Sequence, residues 1–371
     1  MKGPVSRRAL LMGGAAWAGC GRRKATGFPG YCFVAAQDAH SLAVVDLSSF
    51  RMGRPIRLDA APTAILPHPR LPKVFALAAE AGVLYEVDAA RIAITRRVRL
   101  GGPAAGMLAG ADALWLLLRE PAALVELPFD SLAPRRRIRL SAPPDDFDIN
   151  FDSGGNRAAV VSRAAAGVFL ADLERGALDR AAPVARDTNV VRFQQKGEQV
   201  IAGSPADRSV SMLDARTGEL IVHLPLAIEP QHFCFTPDGG QIFVSGPGKD
   251  AVAIIYPYRT EVGETILAGR APAAMAVVGP YLLVTNPETN TVTVLDIDTR
   301  RLAAVVPIGR EPRHILITPD NQYALVLDEK SGDMAVIRIA SLAARHYKSA
   351  PLFTILPVGD KPVSAAVVTL V

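Results

Sequence analysis

The chain has 371 residues, of which 50% are hydrophobic and 21% charged, with a formal net charge of +5. That hydrophobic share excludes a disordered chain, and its glycines and prolines follow no three-residue period, which excludes a collagen-like one. Outside the N-terminus, turn residues cut the apolar runs before any becomes long enough to cross a bilayer as a helix.

The first thirty residues read as an address. Ser6-Arg7-Arg8 followed by the apolar stretch Ala9–Ala18 is a twin-arginine pattern with a short signal core. It ends in Trp17-Ala18-Gly19-Cys20, which resembles a bacterial lipobox; Trp17 stands where an aliphatic residue is usual. The expectation is a signal peptide over 1–20, acylation of Cys20, a basic tether over 21–30 and a single folded domain over 31–371. Removing Lys2, Arg7 and Arg8 leaves 38 basic against 36 acidic residues, a charge of +2. Nucleic acid is therefore not an expected partner. Cys32 and Cys234 fall in separate repeats, and two buried free thiols are expected.

From residue 31 onward the chain repeats a unit of four short strands. Three segments show it best. The first runs Glu229-Pro230-Gln231-His232, then the turn Thr236-Pro237-Asp238-Gly239, then a strand to Ser245. The second places Tyr281–Asn286 before the alternating strand Thr291–Asp296, and the third carries Glu311-Pro312-Arg313-His314 and the turn Thr318-Pro319-Asp320. Proline presets φ and glycine accepts φ > 0, so these turns join strand one to strand two. Strand one is marked by Pro62, Pro103, Asp145, Thr188, Pro230, Pro272, Pro312 and Pro362, at intervals of 41, 42, 43, 42, 42, 40 and 50 residues. This is the spacing of propeller blades. The long last interval holds an insertion near 340–351. Residues 31–58 supply three strands without a strand one, and residues 362–371 a strand one with nothing after it. Joining them completes an eighth blade and closes the ring; seven blades is the alternative, if one unit within 103–187 is not a blade.

Val284-Thr285-Asn286, Thr291–Asp296, Thr236–Gly239 and Thr318–Asp320 carry a resemblance to the YVTN-type propeller repeat family. The resemblance implies an all-β propeller outside the cytoplasm. Related propellers include lactonase-like hydrolases and haem-containing nitrite reductases. It transfers no catalytic residue, because no position here matches one.

In such a ring the loops into strand one and between strands two and three share a face. The polar residues placed there are Asp145, Asp146, Asp187, Asn189, Glu229, Gln231, His232, Glu311, Arg313 and His314, while other blades offer small residues such as Ala61, Gly102 and Ala271. His232 and His314 with nearby carboxylates could bind a metal or act as acid and base; the alternative is hydrogen-bonded blade residues. The Asp145-Asp146-Phe147-Asp148 run could hold a hard cation. No haem-attachment motif, nucleophile elbow or P-loop is present.

The fourth strands of three consecutive blades are arginine-rich, with Arg57, Arg97, Arg99, Arg135, Arg137 and Arg139 among them. These read either as a strip facing an anionic membrane or as charges that keep strand edges apart. The leading expectation is a monomeric, non-catalytic binding or scaffold propeller, lipid-anchored on the periplasmic or cell-surface side of the envelope. Its partner would be an envelope protein or a glycan, and no cofactor is expected. A lactonase-like hydrolase or oxidoreductase, and a metal- or cofactor-bearing redox protein, are the alternatives.

Overall fold

The computed structural model describes residues 27–151, 156–179, 181–342 and 350–370. The twin-arginine segment, Cys20 and tether residues 21–26 lie outside them. The described chain forms eight antiparallel sheets. The innermost strands of blades 1 to 7 are Ala64–Pro67, Ala104–Ala109, Asp146–Asn150, Val190–Phe193, His232–Phe235, Met275–Val278 and Pro312–Ile317. The expected markers sit from zero to three residues ahead of them. Eight blades hold, and the seven-blade alternative falls. The only helix among the described residues is a 3-10 turn at Ile339–Ser341, opening the expected insertion. No helix there is long and apolar enough to cross a membrane.

The eighth blade is split between the chain ends. Gly30–Ala36 pairs on one edge with Ser41–Asp46 and on the other with Pro362–Thr369, in a register that sets Phe33 opposite Ala366 and Gly30 opposite Thr369. A Cβ on Gly30 would lie 2.2 Å from the Val368 carbonyl oxygen, so this close approach requires glycine. Phe28, ahead of the strand, is buried with Tyr323 and Leu325 of blade 7.

The apolar core lies between blades rather than at the centre. Eight clusters of buried side chains mark the eight junctions. Phe33 and Val44 of blade 8, for example, pack with Val74 and Tyr85 of blade 1. The middle strands are therefore covered on both faces. Thr291–Asp296, which alternates polar and apolar residues, buries Thr293, and the Asn286 amide donates to Thr293 Oγ1 at 2.9 Å. A buried hydroxyl remains tolerable when it is so paired.

Local side chains fix the turns. Where strand one meets strand two, Thr318 Oγ1 accepts the Tyr323 N–H at 3.0 Å, and Thr236 Oγ1 accepts that of Gln241 at 3.0 Å. After strand three, Asp88, Asp172 and Asp214 each accept two backbone N–H groups from the following turn. Cys32 and Cys234 are both free, and burial pushes their thiols up, to about 12 and about 11.

Candidate functional site

The loops into strand one and the loops between strands two and three do meet on one face. The Glu229 N–H donates to Pro247 O at 2.7 Å, that of Val358 to Gly332 O at 2.8 Å and that of Gln37 to Lys361 O at 2.9 Å. On this face the expected acids are committed to nearby cations or backbone. Asp145 accepts the Arg163 N–H at 2.7 Å and its Nε at 2.8 Å. Asp146 bridges to blade 4, taking the Val191 N–H at 3.1 Å and the Arg192 guanidinium. Asp148 takes the Phe193 N–H at 2.8 Å; burial pushes its carboxyl up against that bond. These two carboxylates of strand one in blade 3 thus pair with the open backbone edge of strand one in blade 4. Ser364 Oγ does the same for Ile65 N–H across the closing seam, at 3.2 Å. The acidic run is an inter-blade fastener rather than a cation cage.

Glu229 pairs with Arg208 at 3.3 Å. Glu311 pairs with Lys330 at 3.3 Å, and Arg313 reaches Glu329 at 3.3 Å. Asp187 and Gln231 are exposed and Asn189 is half-buried. Asp187 and Glu311 adopt φ of 59° and 55°, turn conformations costly for such residues. Five of the ten rim residues, Asp145, Asp146, Glu229, Glu311 and Arg313, therefore sit in separate ion pairs on blades 3–4, 4–5 and 7.

His232 and His314 are not brought together, because Met275–Val278 of blade 6 stands between their strands in the ring. Both imidazoles are half-buried. Burial lowers His232, and the charges of Arg192 and Arg313 lower it further; burial alone lowers His314 to about 4. Both are neutral at pH 7. Among the described residues no group of three or more histidine, cysteine, aspartate or glutamate side chains is placed to hold a metal ion.

The opposite face carries a feature that the sequence reading missed. Three hollows follow one another from the channel mouth across blades 1, 2 and 3. The first, about 430 Å³, lies between His68 and the closing strand at Val367–Thr369. The second, about 630 Å³, shares His68, Arg70 and Leu71 with it and is walled by Lys73, Phe129 and Arg135. The third, about 350 Å³, shares Asp112 and Arg135 with the second and includes Trp115 and Glu126. Shared walls make this a continuous groove. His68 occupies the turn position that Thr236 and Thr318 hold in their blades, and its Nδ1 accepts the Arg70 and Leu71 N–H groups at 3.0 and 3.2 Å. That leaves the proton on Nε2. Burial, then Lys73 and Arg70, keep the ring neutral, and its centroid lies 4.3 Å from that of Phe129. The available signal was His68-Pro69-Arg70 in place of Thr-Pro-Asp.

Charges along the groove are matched. Arg70 meets Asp112. Glu86 receives Lys73 Nζ at 2.9 Å, Thr95 Oγ1 at 2.6 Å and Arg96 Nε at 3.1 Å. Burial pushes Glu86 up, but these donors outweigh it and hold the carboxyl down to about 2. Glu126 meets Arg135, and its buried Oε2 has no hydrogen-bond partner among the described residues. Of the expected basic strip, Arg97 is paired with Asp59 at 2.7 Å and Arg135 with Glu126; Arg57, Arg99, Arg137 and Arg139 are exposed.

No family model matches the chain, and no protein of curated function matches it by sequence. The YVTN-type resemblance accordingly stands at the level of the propeller fold. Solved structures do match. Dihydro-heme d1 dehydrogenase NirN, in complex with DHE, aligns with a TM-score of 0.75 at 14% identity, over 91% of this chain and 75% of that one. Apo AztD from Citrobacter koseri aligns at 0.69 and 11% identity, over 91% and 97%. Hydrazine synthase of Kuenenia stuttgartiensis aligns at 0.59 and 19% identity, over 75% and 96%. At these identities the likeness is one of fold.

Proposed function

We propose that this chain is an exported, lipid-anchored binding propeller of the cell envelope, non-catalytic, holding an extended polar partner along the groove of blades 1 to 3. The groove carries the reading: three hollows joined through His68, Arg70, Asp112 and Arg135. Its charges balance, so it suits a polypeptide segment or a glycan better than a highly charged ligand. The twin-arginine and lipobox patterns support placement in the envelope.

A photo-crosslinking residue placed at Leu71, which is 49% exposed, tests this in intact envelopes against the same residue at Gln231 on the other face. An adduct from position 71 alone supports the groove, and protein or carbohydrate staining of it tells which partner class is bound. An adduct from position 231 alone, or none from 71, removes the reading.

A second reading rests on His232. A neutral imidazole under the field of Arg192 and Arg313 suits an anionic ligand on the channel side. The NirN structure, whose bound DHE is named in its title, keeps cofactor binding in view for this fold. A stoichiometric metal or chromophore in protein purified from its own envelope would move the site to the channel.

A further inference from the structure

The outer wall of the ring changes character at blade 8. The fourth strands of blades 6 and 7, Leu302–Pro307 and Leu352–Pro357, contain no charged residue. Leu302, Val305, Phe353 and Ile355 are exposed there by 61%, 50%, 41% and 42%. On blades 8, 1 and 2 the same position carries exposed Arg51, Arg54, Arg57, Arg99, Arg137 and Arg139. None of these six has an ion-pair partner among the described residues, whereas neighbouring Arg97 and Arg135 do. The two walls meet at blade 8, where the Phe50 and Phe353 rings lie 5.0 Å apart and Met52 is 38% exposed.

The chain also reaches the ring at this seam. Residues 27–30 lead into blade 8. Cys20 stands seven positions before Gly27, and the intervening Gly21-Arg22-Arg23-Lys24 is basic. Seven extended residues span at most about 25 Å. An acyl group on Cys20 would therefore hold blade 8 close to the lipid.

We propose that the propeller lies on its side, with the outer edges of blades 7, 8 and 1 resting on an anionic lipid surface. In a ring of eight blades neighbours stand only about 45° round from one another, so a surface that takes up the outer edge of blade 8 lies nearest those of blades 7 and 1. Those three present apolar side chains beside unpaired guanidinium groups. Aliphatic and aromatic tips enter the headgroup boundary, while arginine stems lie along it with their charges at the phosphates. Unpaired cations spread over blades 8 and 1, at Arg51, Arg54, Arg57 and Arg99, match a diffuse field of phosphates better than a discrete acidic site. The geometry deepens the lipid-anchor reading and rests on it for orientation, but the contact can be measured without the anchor.

The test uses the chain from residue 20 onward carrying Cys20→Ser, co-sedimented at low salt with vesicles. Phosphatidylcholine vesicles with phosphatidylglycerol mixed in are compared with phosphatidylcholine alone. The expected result is binding to the anionic vesicles only. Each arginine near such a surface is worth about fivefold in affinity. Arg51→Glu, Arg54→Glu and Arg57→Glu together should therefore weaken binding by at least about a hundredfold. Phe353→Ser with Ile355→Ser should weaken it roughly tenfold, and Leu267→Ser on blade 5 should not change it; unchanged circular dichroism shows that each variant is folded. Equal binding to both vesicles, no binding, or an equal loss from the blade 5 variant overturns the proposal. So does a dimer that the Phe353 and Ile355 changes dissolve, since the wall would then belong to a second copy. The mass of Cys20 in protein from its own envelope decides the anchor separately. Unmodified Cys20 alongside retained vesicle binding would remove the anchor and leave the contact standing.

Discussion

Two buried carboxyls give this protein a pH profile that can be worked out residue by residue. Asp328 is fully buried at the end of strand two in blade 7, where its Oδ2 accepts the Gly309 N–H at 3.1 Å and its Oδ1 has no hydrogen-bond partner among the described residues. Burial pushes its carboxyl up to about 7, and Asp333 adds to the shift. A folded-state value above the unfolded one means that stability is full below about pH 4 and falls as pH rises toward 7. Asp328→Asn should match the parent at pH 4 and exceed it at pH 8, by up to about 4 kcal/mol. Parallel urea-unfolding curves at the two pH values would show that the carboxyl carries no such cost. Glu86 has the opposite sign. Held down to about 2, it stabilises the fold above about pH 4.5, and that contribution is lost as pH falls toward 2. Glu86→Gln should lose up to about 3 kcal/mol at pH 7 and little at pH 2.5. Equal losses at both would mean that packing, not charge, is what Glu86 supplies. Neither carboxyl was visible as special in the sequence. Asp328 reads as an ordinary strand-end acid, and the partners of Glu86 lie on two other strands of its blade, at Lys73 and on the stretch carrying Thr95 and Arg96.

At the scale of elements, the closing strand is where the ring is most exposed to failure. Pro362–Thr369 gives blade 8 its innermost strand and supplies Ala366 and Val368 to the junction with blade 1. Ending the chain after Lys361 should leave the open edge of Gly30–Ala36 and yield aggregates in gel filtration. A circular permutant that links residue 369 to residue 28 and opens between blades 4 and 5 keeps every pairing. It should elute from gel filtration as the parent does, with a melting temperature within a few degrees of it. A monomeric, cooperatively melting truncation would show that the seam is dispensable. The elements themselves were legible, because turn chemistry and strand alternation are local. Asp145 and Thr188 kept the phase of strand one even where proline is missing. The double burial of strand three was not legible. Whether a threonine face meets water or another blade depends on the ring around it, and Thr293 meets a blade.

Across the whole molecule, the sequence shows the ring but not the groove beside His68. Blade count and closure follow from a period and two matching ends. The rim charges are held apart in local ion pairs, because Asp145, Glu229 and Glu311 each have a cation close by, at Arg163, Arg208 and Lys330. The groove on the other face is lined by residues of several blades, among them His68 and Asp112, a combination no single repeat encodes. In the same way Arg97 and Arg135 read as free charges until Asp59 and Glu126 are seen beside them. The membrane-facing orientation proposed above leaves both faces of the ring open to the side, so the groove and the channel mouth stay accessible at once.

Phe33 waits for Ala366. A ribosome adding about 5–20 residues per second takes roughly half a minute to travel from one to the other. Through that interval blade 8 lacks its inner strand, and the nascent chain carries an unpaired apolar edge that a chaperone or a neighbouring nascent chain could capture. Contacts this far apart in the sequence also make the last step of folding slow. An export route that accepts only finished folds would act here as a clock, releasing the protein only after the seam has shut.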